Sequence, residues 1–217
     1  PKKKIFLGNF GERIAHHAFY YANTYFVTKL LKNKYELNFE DENGIIPIQY
    51  FFYSEMIDIT FFQEIIEFKK INFKHIDNYQ RNCLHFLVMN PSFNENIIIY
   101  ILNFFYKNYS DLFNQEDIYG KLPIDIFLTR QTERLQIVTK MIRYTKKIDY
   151  LDNGKENLLQ ICIANNNLQY AKKFMSKKSV NNIDINNCNT LHKLCFSDFN
   201  IPLLDKAYSL IDKDIIP

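Results

Sequence analysis

The chain has 217 residues, of which 47% are hydrophobic and 24% charged, the balance of a folded protein rather than a disordered one. Its formal net charge of +3 is spread along the sequence without a basic stripe, which argues against nucleic-acid binding. Five glycines are too few for the phosphate loops of a nucleotide-binding α/β enzyme, so we expect helices joined by asparagine-rich turns.

Six segments of the sequence share one pattern, in which a turn is followed by the start of a helix. The turn positions are Gly11, Gly44, Gln80, Gly120, Lys155 and Asn187. They are separated by 33, 36, 40, 35 and 32 residues. All but the first have an aspartate three residues earlier, namely Asp41, Asp77, Asp117, Asp152 and Asp184. A period of this length is typical of repeat proteins, in which each unit buries its apolar face against its neighbours.

The start of the first helix is marked in five of the six units. Asn82, Asn157 and Asn189 can cap a helix by accepting a hydrogen bond from a free backbone N–H. Pro47 and Pro123 can take the first helical position, where no N–H is needed. The first unit has neither signal, which fits the atypical sequence of a terminal repeat.

Apolar stripes at helical spacing follow each start and predict two short antiparallel helices per unit. For the second helix we expect these core pairs: Leu30-Leu31, Ile65-Ile66, Ile101-Leu102, Met141-Ile142 and Phe174-Met175. In the sixth unit both Leu203-Leu204 and Ala207-Tyr208 fit. The third unit is seven residues longer than the first, and we expect the extra residues to protrude as loops near Asn90-Pro91-Ser92 and within Tyr106–Glu116.

A tetrad follows each turn, as in Asn82-Cys83-Leu84-His85 and Asn189-Thr190-Leu191-His192. Together with the preceding aspartate and turn, it resembles the ankyrin repeat, whose units of ~33 residues begin Asp-x-x-Gly-x-Thr-Pro-Leu-His-x-Ala. The resemblance covers about residues 8–208, although no unit has a complete Thr-Pro-Leu-His. It implies an all-α ankyrin-repeat solenoid of about six stacked helix-turn-helix units. Residues 1–217 would form a single domain, with units starting near residues 8, 41, 77, 117, 152 and 184.

The histidines and cysteines were considered as catalytic or metal-binding residues. His16, His85 and His192 share one repeat position, where the ankyrin family uses histidine to tie the helix start to the next unit. Cys188, His192 and Cys195 could nominally supply three zinc ligands, but no fourth ligand has a suitable spacing. Nucleophile-elbow, metalloprotease, Walker and kinase motifs are absent. We therefore predict no catalytic residue, no metal site and no cofactor.

The ankyrin resemblance implies that partner proteins bind the hairpin tips and the exposed side of the first helices, on the concave face. The tip positions are Phe10, Glu12, Tyr79, Arg81, Ile118, Tyr119 and Lys121. The first-helix positions are Tyr20, Tyr21, Tyr53, Met89 and Arg130. Tyrosine, methionine and arginine are enriched in protein interfaces, although in a chain with 16% aromatic residues some tyrosines fall there by chance. The resemblance implies a non-catalytic protein–protein interaction module.

Two other roles stay open at this point. Ankyrin repeats also precede the catalytic parts of some membrane palmitoyltransferases and ion channels, and this chain, which opens with proline, is expected to belong to a longer protein. It could equally be a structural subunit of a large assembly. Paired lysines are expected at solvated helix edges, or else on a patch for an anionic membrane or acidic partner: Lys69-Lys70, Lys146-Lys147, Lys172-Lys173 and Lys177-Lys178.

The expected location is cytoplasmic. The four cysteines are irregularly spaced and form no disulfide framework, which indicates a reducing compartment. No apolar run approaches the ~20 residues of a membrane span, so we expect no direct membrane insertion.

Overall fold

The computed structural model describes residues 13–33, 35–68, 71–91, 94–130, 134–197 and 200–212. Within these ranges the chain forms thirteen α-helices and one short 3₁₀ helix, without a β-strand. The predicted all-α class is therefore confirmed. The chain divides into two compact units, Pro1–Ile118 and Tyr119–Pro217.

The first unit contains three helix pairs. Its helices are α1 (Ile14–Tyr20), α2 (Thr24–Lys32), α3 (Pro47–Tyr53), α4 (Ile59–Ile66), α5 (Cys83–Val88) and α6 (Glu95–Asn108), followed by the 3₁₀ helix Ser110–Asn114. Helix α1 packs on α3 and α3 on α5, while α2 packs on α4. Phenylalanines fill the space between the pairs, with ring centroids 5.8 Å apart for Phe19 and Phe61 and 5.5 Å apart for Phe52 and Phe105. Equivalent helices of successive pairs therefore stack on one another.

The second unit repeats this arrangement with one addition. Its helices are α7 (Pro123–Leu128), α8 (Leu135–Tyr144), α9 (Leu158–Ala164), α10 (Leu168–Phe174), α11 (Lys177–Val180), α12 (Thr190–Phe196) and α13 (Ile201–Leu210). Helix α9 packs on α7, α10 and α12, and α12 also packs on α13. The additional one-turn helix α11 lies against α9, α12 and α13.

The predicted helix starts are confirmed at all five marked positions. The side-chain oxygen of Asn82 accepts from Leu84 N at 2.9 Å, and Asn157 and Asn189 cap α9 and α12 in the same way. Pro47 and Pro123 are the first residues of α3 and α7.

The expectation that extra residues of the third repeat protrude as a loop within Tyr106–Glu116 is wrong. Helix α6 has 14 residues, and the 3₁₀ helix that follows it buries Leu112 and Phe113, which are 3% and 0% exposed. The added length therefore extends the second helix and packs against the core. Because Leu112 and Phe113 are apolar, packing this segment against the core is favoured over leaving it exposed to solvent. At the other expected loop, Asn90 is buried and Pro91 exposed, and Ser92 lies outside the described residues.

Each expected core pair of the second helices has at least one buried member. Ile101 and Leu102 are both buried. In the other four pairs one member is half-buried, and the buried members are Leu31, Ile65, Met141 and Phe174. Of the two candidate pairs in the sixth repeat, the buried members are Leu203 and Ala207, one from each pair. These two residues are four apart, so they share one face of α13.

No helix in the described ranges has the length and hydropathy of a membrane span. The longest of them, α6, has 14 residues, against the ~20 that a bilayer core requires.

Candidate functional site

Five loops have the same hairpin geometry, and in each of them the aspartate is buried. In the first, Asp41 Oδ1 accepts from Asn43 N at 2.8 Å and Ile45 N at 2.9 Å. The same two bonds form at Asp77 and Asp184. Three residues after each aspartate, φ is positive, at Gly44, Gln80, Gly120, Lys155 and Asn187. In the three loops with both bonds, one carboxylate and one left-handed residue therefore fix a tight hairpin.

Successive hairpins within each unit are joined by backbone hydrogen bonds. In every case, the residue that follows the aspartate donates to the residue two places after the preceding aspartate. In the first unit, Asn78 N donates to Asn43 O and Ile118 N to Tyr79 O, both at 3.0 Å. In the second, Asn153 N donates to Tyr119 O at 3.1 Å and Ile185 N to Gly154 O at 3.0 Å. These bonds restrict how one hairpin can move relative to the next.

In three of the first helices, a polar side chain at the third position connects the helix start to the following hairpin. Gln49 Oε1 accepts from Ile46 N at 3.0 Å, and its Nε2 donates to Arg81 O at 3.1 Å. His16 bridges in the same way, with Nε2 lying 3.0 Å from Ile45 O. The residues at this position are His16, Gln49, His85, Asp125, Gln160 and His192. For His16 the role is therefore a structural bridge between hairpins.

Two of the predicted tip residues are exposed tyrosines on equivalent loop positions. Tyr79 is 42% exposed and Tyr119 is 58% exposed, and each stands two residues after its aspartate. The carbonyl of each accepts the hydrogen bond from the next hairpin, so the backbone is held while the ring faces solvent. Ile118 lies beside Tyr119 in sequence and is 37% exposed.

Glycine and non-glycine turns differ in the residue that follows the aspartate of the next hairpin, which is asparagine after glycine and exposed isoleucine after the others. A Cβ added at Gly120 would lie 2.6 Å from Asn153 Oδ1, so the asparagine side chain closes directly over the glycine turn. Gly44 and Asn78 make the same pair. After the turns at Gln80 and Lys155, the equivalent residues of the next hairpins are the exposed Ile118 and Ile185. Turns without glycine are thus followed by apolar tips.

The predicted tip residue Arg81 is held inside its own loop. Its Nε donates to Asp77 Oδ2 at 2.7 Å, and its guanidinium carbon lies 5.0 Å from the Tyr79 ring centroid and 4.7 Å from that of Phe86. Arg81 therefore orients the Tyr79 ring as well as offering a charge. Lys121 is half-buried.

The predicted first-helix residues lie at the C-terminal ends of their helices. Tyr20 ends α1 and its ring contacts that of Tyr21 edge-on, with centroids 5.1 Å apart. Tyr21 is 62% exposed and Tyr53, at the end of α3, is 44% exposed. The Ser54 hydroxyl donates to Tyr20 O and so brings these two helix ends together. The structure therefore groups three of the predicted tyrosines in the first unit.

The remaining predicted residues are less prominent. Met89 and Arg130, which follow α5 and α7, are half-buried. Phe10 and Glu12 lie outside the described residues.

A groove on the hairpin and first-helix side of the second unit was not predicted. It has a volume of about 410 Å³ and is lined by the end of α9, the hairpin at Asp184 and α12. Phe196 stands at its edge with 87% of its surface exposed. This residue lies nine places after its turn, as Tyr53 and Met89 do. Applying the position nine residues after the turn to the sixth repeat as well would have identified Phe196.

An ion-pair cluster stabilises the wall of this groove. Lys193 Nζ donates to Asp184 Oδ2 at 2.8 Å and to the Glu156 carboxylate. Burial alone would raise the pKa of Asp184, but hydrogen bonds from Lys193 and from two backbone N–H groups hold it below its usual value. Burial opposes the charge on Lys193, yet the bonds to Asp184 and Glu156 raise its pKa.

Two of the four cysteines are buried and have weakly nucleophilic thiols. All four cysteines are free, and burial raises the pKa of the Cys83 and Cys162 thiols, with a further contribution at Cys162 from the charge of Asp125. Such thiols stay protonated and are poor nucleophiles. In the part of the chain that the structure describes, no three His, Cys, Asp or Glu side chains are grouped to hold a metal ion.

A scan against models of known protein families finds no match, and a search of curated proteins finds no similar sequence.

Proposed function

We propose that the chain is a non-catalytic protein-binding module of ankyrin type, which recognises a partner protein through its hairpin tips and the ends of its first helices. The observation that carries the proposal is the placement of Tyr79 and Tyr119. They occupy equivalent loop positions, the two residues are 42% and 58% exposed, and their own carbonyls are hydrogen-bonded to the following hairpins.

Rigidity is what makes these tyrosines suitable for recognition. Binding costs conformational entropy when loops and side chains must be ordered, and a preorganised surface avoids part of that cost. The buried aspartates and the bonds between hairpins hold the tip backbone before a partner arrives. Tyrosine adds a large contact area with few rotatable bonds. The tips therefore offer aromatic anchors at low entropic cost.

The groove beside Phe196 supports the same kind of role in the second unit. Its edge residue is largely exposed, and large aromatic side chains at the edge of a groove are typical of interface anchors. The free cysteines fit a protein of the cytoplasm, where thiols stay reduced.

The proposal is tested with tip variants and matched controls. The protein would be immobilised, exposed to lysate of its source cells, and the captured proteins quantified by mass spectrometry. For Tyr79→Ala with Tyr119→Ala we expect capture of the specific partner to fall about tenfold or more, as for interface hot spots.

Tyr25→Ala and Tyr208→Ala serve as controls, because these residues are 75% and 63% exposed on second helices, one in each unit. They should leave capture unchanged, and all variants should keep the thermal midpoint of the parent protein. Equal capture by tip and control variants, or equal loss of stability and capture in the tip variant, would contradict the proposal.

A further inference from the structure

The hairpin at Asp184 has an open backbone acceptor at the point where the other hairpins of the second unit bind a successor. Tyr119 O and Gly154 O accept a hydrogen bond from the next hairpin, at 3.1 and 3.0 Å. The equivalent Asn186 O is approached only by Cys188 Sγ, at 3.7 Å, in the part of the chain that the structure describes. A backbone N–H from outside could therefore bind Asn186 O as a further hairpin would.

A side-chain nitrogen is open on the same repeat. His16 Nε2 lies 3.0 Å from Ile45 O, and Gln160 Nε2 donates to Cys188 O at 3.2 Å, so each of these side chains is bonded to the following hairpin. His192 has the same repeat position, but within the described ranges its ring is hydrogen-bonded only through Nδ1, at the start of its own helix. Its Nε2 is thus available to a backbone group of an added hairpin.

Apolar positions that stacking buries elsewhere are uncovered on the sixth repeat, which consists of this hairpin with α12 and α13. Cys195, eight residues after its turn, is exposed, although the equivalent residues of the four repeats that have a successor in their own compact unit are at most 1% exposed: Phe19, Phe52, Leu128 and Ile163. Leu191 and Leu204 are half-buried, while their equivalents in these four repeats are at most 2% exposed: Ala15, Ile48, Ile124, Leu159, Val27, Phe62, Val138 and Ala171. We call the surface of Leu191, His192, Cys195 and Leu204 the trailing face.

The first repeat, with α1 and α2, has the opposite surface uncovered. Ile14, three residues after its turn, is 43% exposed, whereas the equivalent residues of the repeats that have a predecessor in their own compact unit are buried: Pro47, Cys83, Leu158 and Thr190. Leu30 is half-buried, while its equivalents in these repeats are buried: Ile65, Ile101, Phe174 and Ala207. Phe26 is half-buried at the position of Phe61, on which the Phe19 ring packs with centroids 5.8 Å apart. We call the surface of Ile14, Phe26 and Leu30 the leading face.

These two faces are the two sides of one contact that recurs within each compact unit. There the trailing face of a repeat meets the leading face of the next, as in the packing of α1 on α3 and of α9 on α12. Each repeat buries its apolar residues only against such a neighbour. An occupant of the trailing face must therefore offer an apolar helix pair and a hairpin that can bind Asn186 O and His192. The first repeat of this same chain has a leading face of that kind.

We infer that copies of this chain stack end to end, with the leading face of one copy on the trailing face of another. The contact continues the interface that already joins successive repeats, and the apolar residues of the two faces carry no charge that would oppose burial. Because the two faces differ, the contact is heterologous, and each added copy presents its own trailing face to the next. The inference goes beyond the proposed function and does not involve the tyrosine tips.

Self-association of the purified chain tests the inference. Sedimentation equilibrium would be measured from about 1 μM to 1 mM, with a reductant present because the exposed Cys195 could otherwise form disulfides between molecules. The weight-average mass should rise above that of one chain as the concentration increases, with a Kd below about 1 mM. A chain that stays monomeric over this range would overturn the inference and assign the two faces to a different protein.

Variants that block one face distinguish the two ends. Cys195→Glu places a carboxylate on the trailing face and Ile14→Glu places one on the leading face, and both positions are exposed, so the fold should be kept. Each variant alone should associate at least about tenfold more weakly, because an unpaired charge would be buried. An equimolar mixture should form a dimer and stop at two chains, since one intact leading face and one intact trailing face remain. A mixture that stays monomeric, or undiminished association of either variant alone, would contradict the end-to-end contact.

Two exposed positions of the same end repeats provide matched controls. Tyr25→Glu and Ser209→Glu add the same charge at second-helix positions that are exposed in every repeat, and should stay within about twofold of the parent protein. All variants should keep the parent thermal midpoint, and Cys195→Lys and Ile14→Lys should repeat the result with the opposite charge. Tyr79→Ala with Tyr119→Ala should self-associate as the parent does, which separates this result from the test of the tips. Equal weakening by the control and face variants would overturn the inference.

Discussion

Substitution of Gln49 tests whether the polar third position of the first helix holds the stack together. Gln49 is fully buried, and Gln49→Leu removes both its bond from Ile46 N and its bond to Arg81 O. Arg81 O keeps its bond from Asp77 N, whereas Ile46 N loses its partner. A net ~1 kcal/mol for the lost bond to Arg81 O and ~1–3 kcal/mol for the buried Ile46 N–H left unpaired predict a destabilisation of about 2–4 kcal/mol.

Two further variants at this position are the controls. Gln49→His should cost less than about 1 kcal/mol, because an imidazole makes both bonds at the equivalent His16. Gln49→Glu should be strongly destabilised at neutral pH, since its carboxylate would face Arg81 O. Burial raises the pKa of such a carboxyl, so stability should return as the pH falls towards the unfolded glutamate pKa of ~4.3.

Urea unfolding followed by far-UV circular dichroism measures these differences, and hydrogen exchange of the first-unit amides localises them. The second unit then serves as an internal control. Unchanged unfolding of Gln49→Leu, or equal losses for Leu and His, would show that these hydrogen bonds do not stabilise the stack.

Three other predictions concern the hairpins. Gly120→Ala should destabilise the chain by about 1–3 kcal/mol in urea unfolding, because φ is +72° and the new Cβ would meet Asn153. Lys155→Gly should stabilise it by about 0.5–1 kcal/mol in the same assay, since φ is +57° there. The folded pKa of Asp184 is lowered, so its contribution is present above about pH 4 and is lost as the pH falls through the folded value. Calorimetry should therefore show a steeper loss of thermal midpoint below about pH 4 for the parent protein than for Lys193→Met.

Features that depend on local backbone chemistry could be predicted from the sequence. Asn82 and Pro47 were correctly placed at helix starts because capping and proline geometry depend on neighbouring residues alone. The left-handed turn at Lys155 follows from the period, although lysine itself gives no such signal. The expectation of a single domain over residues 1–217 stays a prediction.

Features that depend on packing could not be predicted in the same way. Helical spacing marks both Leu203 and Ala207 as apolar positions, but only the stacking of helices decides that both face the core. Arginine is common in protein interfaces, but the bond of Arg81 to Asp77 depends on the folded conformation of the loop. The groove beside Phe196 is lined by residues of two successive repeats, so the sequence of one repeat alone does not predict it.

The bonds between hairpins use the same backbone atoms at every step within a unit. Recombination between equivalent positions of two loops in one compact unit would remove or duplicate a whole repeat. The hairpins brought together would then still have matching backbone donors and acceptors. A junction between positions that are not equivalent would leave some of these backbone groups without a partner. This arrangement allows the protein to change length by recombination, one repeat at a time.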